Sequence, residues 1–164
     1  MTITLSDVKA AADRIKDGVV RTPCLESEGL SRRLGTTVVV KYENLQHTGA
    51  FKARGALSCL TTLTDEERSR GVVAMSAGNH AQGVAYQAQR LHAPATIVMP
   101  KGTPFVKVRK TTEYGAKVEL EGDTLEEAAA HARALASDQG LTFIHPYDDA
   151  DVIAGQGTIG LEMI

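Results

Sequence analysis

An α/β fold, a doubly wound parallel sheet with helices on both faces, is predicted by three observations. From Thr36 onward, short β-branched or apolar runs alternate with longer stretches of helical periodicity, which is the βαβ rhythm of a parallel sheet with right-handed crossovers. VVAMS at 72–76 is apolar without alternation, as a strand covered on both faces requires. At 164 residues, with 43% hydrophobic and 23% charged side chains, the chain has enough apolar surface for the core of one ordinary domain and no bias toward disorder.

Taken in order, Ser6 or Asp7 caps a first helix over 6–17, whose apolar positions Val8, Ala11, Ala12 and Ile15 recur at helical spacing until Gly18 stops it. After RTP at 21–23, residues 27–34 read as a short second helix ended by Gly35, and TTVVVKYE supplies a β-branched strand at 38–43. A helix runs from Phe51 to about Leu63, and Thr64 with Glu67 forms a capping-box pattern ahead of another helical stretch. Strands are expected at 72–76, 95–100, 116–122 and 141–146, with helices at 78–92, 104–115 and 124–140 between them. VIAGQGTIGLEMI opens one more helix.

Composition removes several functional classes. The net charge is −2, and no Lys/Arg cluster is interleaved with the few aromatic residues, so the footprint of a nucleic-acid binder is missing. No apolar run approaches the ~18 residues of a membrane span, and MTITLSDVKAAADRIK lacks the apolar region of a signal peptide. A soluble, cytoplasmic protein without membrane or nucleic-acid partners is the expectation. Cys24 and Cys59 are too few and too far apart for a disulfide framework and read as packing residues. The five histidines show no HxxxH or HxH spacing, so no metal is expected.

In doubly wound sheets, ligands bind at the carboxyl ends of strands, in the loops that lead into helices. Three loops meet that condition and should converge: ENLQHTGAFK, SAGNHAQG and HPYDD. In SAGNHAQG, Gly78 stands at a strand-to-helix turn with Ser76, Asn79, His80 and Gln82 around it. The free amides and positive dipole end of the helix suit a carboxylate or phosphate, although a plain capping loop contains the same residue types. In TGAFKARGA, Lys52 falls in the first turn of a helix, where the dipole and burial both disfavour its charge and favour a reactive amine. The alternative is a surface ion pair with Glu43. Phe51 beside it is either core or a face for a flat ring.

KYENLQHTGAFKARGA with SAGNHAQGVAYQAQ resembles the fold type II pyridoxal phosphate enzymes, in particular the threonine ammonia-lyases (threonine dehydratases) and their serine dehydratase and serine racemase relatives. MPKGTPFVKVRKTTEYGAKVEL and HPYDDADVIAGQGTIGLEMI are similar to the corresponding family segments, so four ordered motifs cover nearly the whole chain. The resemblance implies a tryptophan synthase beta-like fold and pyridoxal 5′-phosphate as cofactor. It implies that Lys52 holds the cofactor as a Schiff base and then works on the substrate Cα proton, that Phe51 packs on the pyridine ring, and that Asn79 bonds the 3′ oxygen. The loop Ser76, Ala77, Gly78, Asn79 and His80 would clasp the substrate carboxylate. Sulfhydrylases of the family typically read TSGNTG here, so SAGNHAQG favours the hydroxyamino-acid branch. Racemases usually carry serine at the position of Ala77, and an alanine methyl exchanges no proton.

The activity so implied is β-elimination from L-threonine, and also L-serine, to 2-oxobutanoate or pyruvate plus ammonia, in a homo-oligomer serving amino-acid metabolism and isoleucine biosynthesis. Serine racemisation or another fold type II activity is the alternative within enzymes, and a non-catalytic half-enzyme acting as a binding module is the alternative outside them. The family subunit is about twice as long, and its second half supplies the tetraglycine loop for the cofactor phosphate; no GGGG run occurs here. The chain alone is therefore expected to be inactive. Residues 1–37 are expected to form a helical segment packing on the large domain of the family, 38–147 the small α/β domain with the Schiff-base lysine, and 148–164 the start of the crossover helix.

Overall fold

The computed structural model describes residues 2–164. Its elements are α1 (Leu5–Ile15), β1 (Cys24–Glu26), α2 (Glu28–Leu34), β2 (Val39–Lys41), α3 (Lys52–Leu60), α4 (Asp65–Arg70), β3 (Val72–Met75), α5 (Asn79–Arg90), β4 (Ala95–Met99), α6 (Phe105–Glu113), β5 (Lys117–Leu120), α7 (Leu125–Gln139), β6 (Thr142–Phe143) and α8 (Ala150–Met163). Four strands form a parallel sheet in the order β5-β4-β3-β6. Successive residues of β3 divide the core between its faces. Val72 and Ala74 pack with Ala56 and Leu60 of α3, Val84 and Ala88 of α5 and Val152 of α8, whereas Val73 packs with Val98 of β4 and Ala128 and Ala132 of α7. That period of two covers both faces, as the doubly wound prediction requires.

The strand expected at 38–43 is extended but belongs to a different ladder. β2 pairs antiparallel with β1, a strand the sequence reading passes over, in the register Cys24↔Lys41, Leu25↔Val40 and Glu26↔Val39. β-branching specifies an extended backbone, not its partner. Here the partner is local: the Ser27 amide donates to Val38 O and the Tyr42 amide to Pro23 O, closing the ladder at both ends. β6 is shorter than the predicted 141–146 because Pro146 has no amide to donate; the Ile144 amide adds one last bond, to Val73 O. Thr4 caps the first helix, in place of the expected Ser6 or Asp7: its side chain accepts from the Asp7 amide, and the Asp7 carboxylate accepts from the Thr4 amide at 2.8 Å. The same reciprocal box closes α4 at Thr64 and Glu67, as predicted, and α7 at Thr124 and Glu127.

α3 and α8 meet through glycine. A Cβ on Gly155 would lie 2.6 Å from Ser58 Cβ and 2.8 Å from Gly55 Cα, so nothing larger fits without separating the helices. Beside this contact, Arg54 of α3 is fully buried. Its guanidinium donates to both carboxylate oxygens of Glu43 at 2.8 Å, to Glu162 of α8 at 2.7 and 3.0 Å, and to Val20 O at 3.1 Å. Lys41 pairs with Glu162 and donates to Thr22 O. The two cations and two carboxylates balance, which is the condition for a buried charge cluster to persist. It ties β2, α3 and α8 together. α1 buries Ala11 and Ile15 against this assembly, whereas α2 buries no residue. Among the described residues, no helix is long and apolar enough to cross a membrane.

Candidate active site

The segment leading to Lys52 is shaped by two 3₁₀ turns, Glu43–Leu45 and His47–Gly49. Thr48 and Gly49 follow one another with φ of 64° and 72°, and this left-handed pair reverses the chain into α3. Two side chains pin the reversal. Buried Gln46 copies a strand edge, accepting from the Val20 amide at 2.9 Å and donating to Val20 O at 2.8 Å. His47 stacks at 4.9 Å on Tyr86 of α5, and its Nδ1 lies 3.2 Å from the Tyr86 hydroxyl. Lys52 thus opens α3 with its position fixed from both sides.

The Lys52 side chain is half-buried, and its Nζ donates to Pro146 O at 2.6 Å. Glu43, the alternative partner on sequence grounds, is bonded to Arg54 and to the Thr22 hydroxyl instead. No described carboxylate pairs with Lys52. Burial without a counter-ion holds its pKa below the ordinary lysine value. Phe51 is 40% exposed, with its ring centroid 5.3 Å from Nζ, so it is not a core residue.

In the second loop, Ser76 Oγ accepts from the Gly78 amide at 3.1 Å. Gly78 holds the N-cap position of α5 with no side-chain cap, which leaves first-turn amides available to an anion. Ser76, Ala77 and Gly78 are half-buried and Asn79 is exposed. His80, in the first turn of α5, turns its side chain inward. It is buried, and its Nε2 lies 3.1 Å from Ile144 O. Burial first, then the neighbouring Lys52 charge, depress its pKa to about 4, against the bond to Ile144 O. A neutral ring bonded this way carries its proton on Nε2 and can offer an anion its backbone amide but not its side chain.

The third loop completes the convergence. Ile144 O receives His80 and Pro146 O receives Lys52, so the loop after β6 joins the other two. His145 Nδ1 accepts from the amides of Asp148 at 2.7 Å and Tyr147 at 3.3 Å, and the Tyr147 ring stands edge-on to it at 4.7 Å. Tyr147, 71% exposed, lines a hollow of about 340 Å³ with Ser76, Ala77, Gly78 and Pro146. Sequence reasoning identifies this loop but neither Pro146 nor Tyr147 within it; only their position at a strand's carboxyl end marks them. Gly155, Gly157 and Gly160 have the spacing GxGxxG, yet they lie inside α8, where Gly155 and Gly157 make close contacts with Ser58 and Val8. Gly155 and Gly157 are packing glycines, and the three, lying within one helix, form no phosphate turn. Among the described residues, no three His, Cys, Asp or Glu are grouped as metal ligands would be.

A family model described as pyridoxal-phosphate dependent enzyme matches residues 15–164. An L-threonine ammonia-lyase of Thermotoga maritima is 51% identical over 162 residues, which are 99% of this chain and 40% of that protein. A catabolic L-threonine dehydratase of Staphylococcus aureus is 47% identical over 163 residues, 99% of this chain and 47% of its own length. The chain thus spans less than half the length of these curated relatives. Among solved structures, the serine racemase of Dictyostelium discoideum superposes with a TM-score of 0.93 at 39% identity, over 99% of this chain and 53% of that one.

Proposed function

As the chain belongs to the pyridoxal-phosphate dependent enzyme family, we propose that it carries the lysine half of a threonine ammonia-lyase site, converting L-threonine, and also L-serine, to the 2-oxo acid and ammonia. The observation that carries this reading is the Lys52 amine: half-buried, without a carboxylate partner, and held on Pro146 O in the same loop cluster as the uncapped start of α5. The residues present fit the aldehyde end of the cofactor. An amine of lowered pKa condenses with an aldehyde and releases water, the Phe51 ring beside it is open to a flat partner, and Asn79 is exposed at the head of α5. Pyridoxal phosphate, when bound, delocalises the electron pair left at the substrate Cα. Lys52 is assigned the cofactor and then the Cα proton, and the Ser76–His80 segment the substrate carboxylate, through its backbone amides and the dipole of α5.

The two curated relatives, an ammonia-lyase and a dehydratase, support elimination, and so does Ala77, whose methyl exchanges no proton on the opposite face of the substrate as racemisation needs. We read the whole protein as a cytoplasmic homo-oligomer of amino-acid metabolism contributing to isoleucine biosynthesis. Residues 38–147 are read as the small domain, and 1–37 and 148–164 as segments that join a larger one. The exposed Leu5, Leu25, Leu30 and Leu34 support that reading of the amino-terminal segment.

Reduction with borohydride in the presence of pyridoxal 5′-phosphate, followed by peptide mapping, should place the pyridoxyl group on Lys52. Lys41 is engaged by Glu162, and Lys101 pairs with Glu121 at 3.0 Å, which raises its pKa. Label concentrated on either of these would remove the assignment.

A further inference from the structure

Lys52 is held by more than its own side chain. Asn79, Gly83 and Gln87 of α5 are spaced i, i+4 and i+8 and therefore share one face of that helix. The middle position touches the backbone of Lys52. A Cβ on Gly83 would lie 3.0 Å from the Lys52 carbonyl carbon and 3.1 Å from both the Lys52 oxygen and the Ala53 nitrogen. These are main-chain atoms at a helix start, which cannot swing aside as a side-chain end can. One turn further on, fully buried Gln87 donates through Nε2 to Ala53 O at 3.4 Å and to Gly18 O at 3.1 Å, while its Oε1 accepts from Arg90 at 3.1 Å. The peptide unit that follows Lys52 is thus pressed at its amide by Gly83, and the next carbonyl is bonded by Gln87.

We propose that Gly83 and Gln87 are positioning residues for the Lys52 amine, setting its distance from the head of α5 by direct backbone contact. This rests on the reading of Lys52 as the cofactor lysine. Asn79 and the free amides of α5 begin one helical turn, about 6 Å, before Gly83. The amine and the anion site are therefore two ends of one rigid connection: α5 from Asn79 to Gly83, the contact, then Lys52. Close packing of two helices would alone explain a glycine, but it does not explain why the contact falls on the Lys52 peptide with a fully bonded buried amide locking the next carbonyl. A methyl at Gly83 must displace the start of α3 by a few tenths of an ångström, and a misplacement of about 1 Å can cost on the order of a hundredfold in rate.

The test is site-resolved reductive labelling of the 164-residue chain with pyridoxal 5′-phosphate and cyanoborohydride, taking the ratio of Lys52 to exposed Lys107 within each molecule. Each variant is labelled under conditions in which circular dichroism shows it folded, because unfolding would free half-buried Lys52 while leaving exposed Lys107 as it is. Gly83→Ala should lower the ratio about tenfold and Gln87→Met several-fold. Gly160→Ala, where an added Cβ meets nothing within 4 Å, should match wild type. Wild-type preference for Lys52 that persists unchanged in both variants overturns the proposal alone; if Gly83→Ala does not fold, Gln87→Met decides it. Absence of any Lys52 preference in wild type overturns the proposal together with the reading beneath it.

Discussion

Lys52 and His80 are both depressed in pKa by burial, yet their surroundings give them different work. Lys52 keeps its amine at the edge of the loop cluster, on Pro146 O, and His80 turns its ring inward to Ile144 O. The lysine was legible in the sequence because a helix start is a poor place for an ammonium. The direction of the histidine was not, since a residue type at a helix start does not specify whether the ring faces the ligand or the sheet. Its environment has a measurable consequence. The unfolded chain takes up a proton on His80 near pH 6.5, whereas the folded protein resists it until about pH 4. Stability supplied by the neutral ring is therefore complete above pH 6.5 and lost as pH falls toward 4, by on the order of 3 kcal/mol. His80→Gln keeps a donor for Ile144 O without the titration. Urea unfolding of both proteins at pH 7 and pH 4 should show wild type losing about that much more than the variant. Equal losses would mean that the ring takes its proton without unfolding.

At the scale of elements, what the sequence specifies locally is what it predicts well. Thr64 and Glu67 form the box expected of them, because the pattern and its hydrogen bonds lie within four consecutive residues. β3 and β4 follow from apolar runs too short for a helix, one opened by Gly71 and the other bounded by Pro94 and Pro100. The partner of β2 is a tertiary fact: Val38–Tyr42 closes on Pro23–Ser27 through ladder bonds that no periodicity announces. Thr4 is not singled out by the sequence because Ser6 and Asp7 stand nearer the first apolar residue, and only the reciprocal bonds decide between them. The box at the head of α7 offers a clean measurement. Thr124 accepts from the Glu127 amide at 3.1 Å, and Glu127 accepts from the Asp123 amide at 2.7 Å. Thr124→Ala should destabilise the fold by about 1 kcal/mol and Thr124→Asn by only a few tenths, read from denaturant midpoints at constant slope. A Thr124→Ala midpoint equal to wild type would show that the cap is dispensable.

Across the whole molecule, the buried cluster of Lys41, Glu43, Arg54 and Glu162 joins the amino-terminal ladder and α8 to the helix that opens with Lys52. That framework fixes the amine but supplies few donors for a phosphate. The first-turn amides of α5 are already assigned to the substrate carboxylate, the GxGxxG glycines lie within α8, and the sequence contains no GGGG run. A phosphate dianion is held by several aligned donors, each charge-assisted bond being worth ~1.5–3 kcal/mol. Lacking two of them weakens cofactor binding at least about a hundredfold, since ~1.4 kcal/mol is a factor of ten. Lys52 can still condense with free cofactor, so faint absorbance from a loose adduct is expected and decides nothing about catalysis. Turnover decides it. The purified 164-residue chain, given excess pyridoxal 5′-phosphate and L-threonine, should form 2-oxobutanoate no faster than the cofactor alone, as measured by the ketoacid released over time. Turnover well above that rate, rising more steeply than protein concentration, would place the missing donors on a second copy of the chain and overturn this expectation.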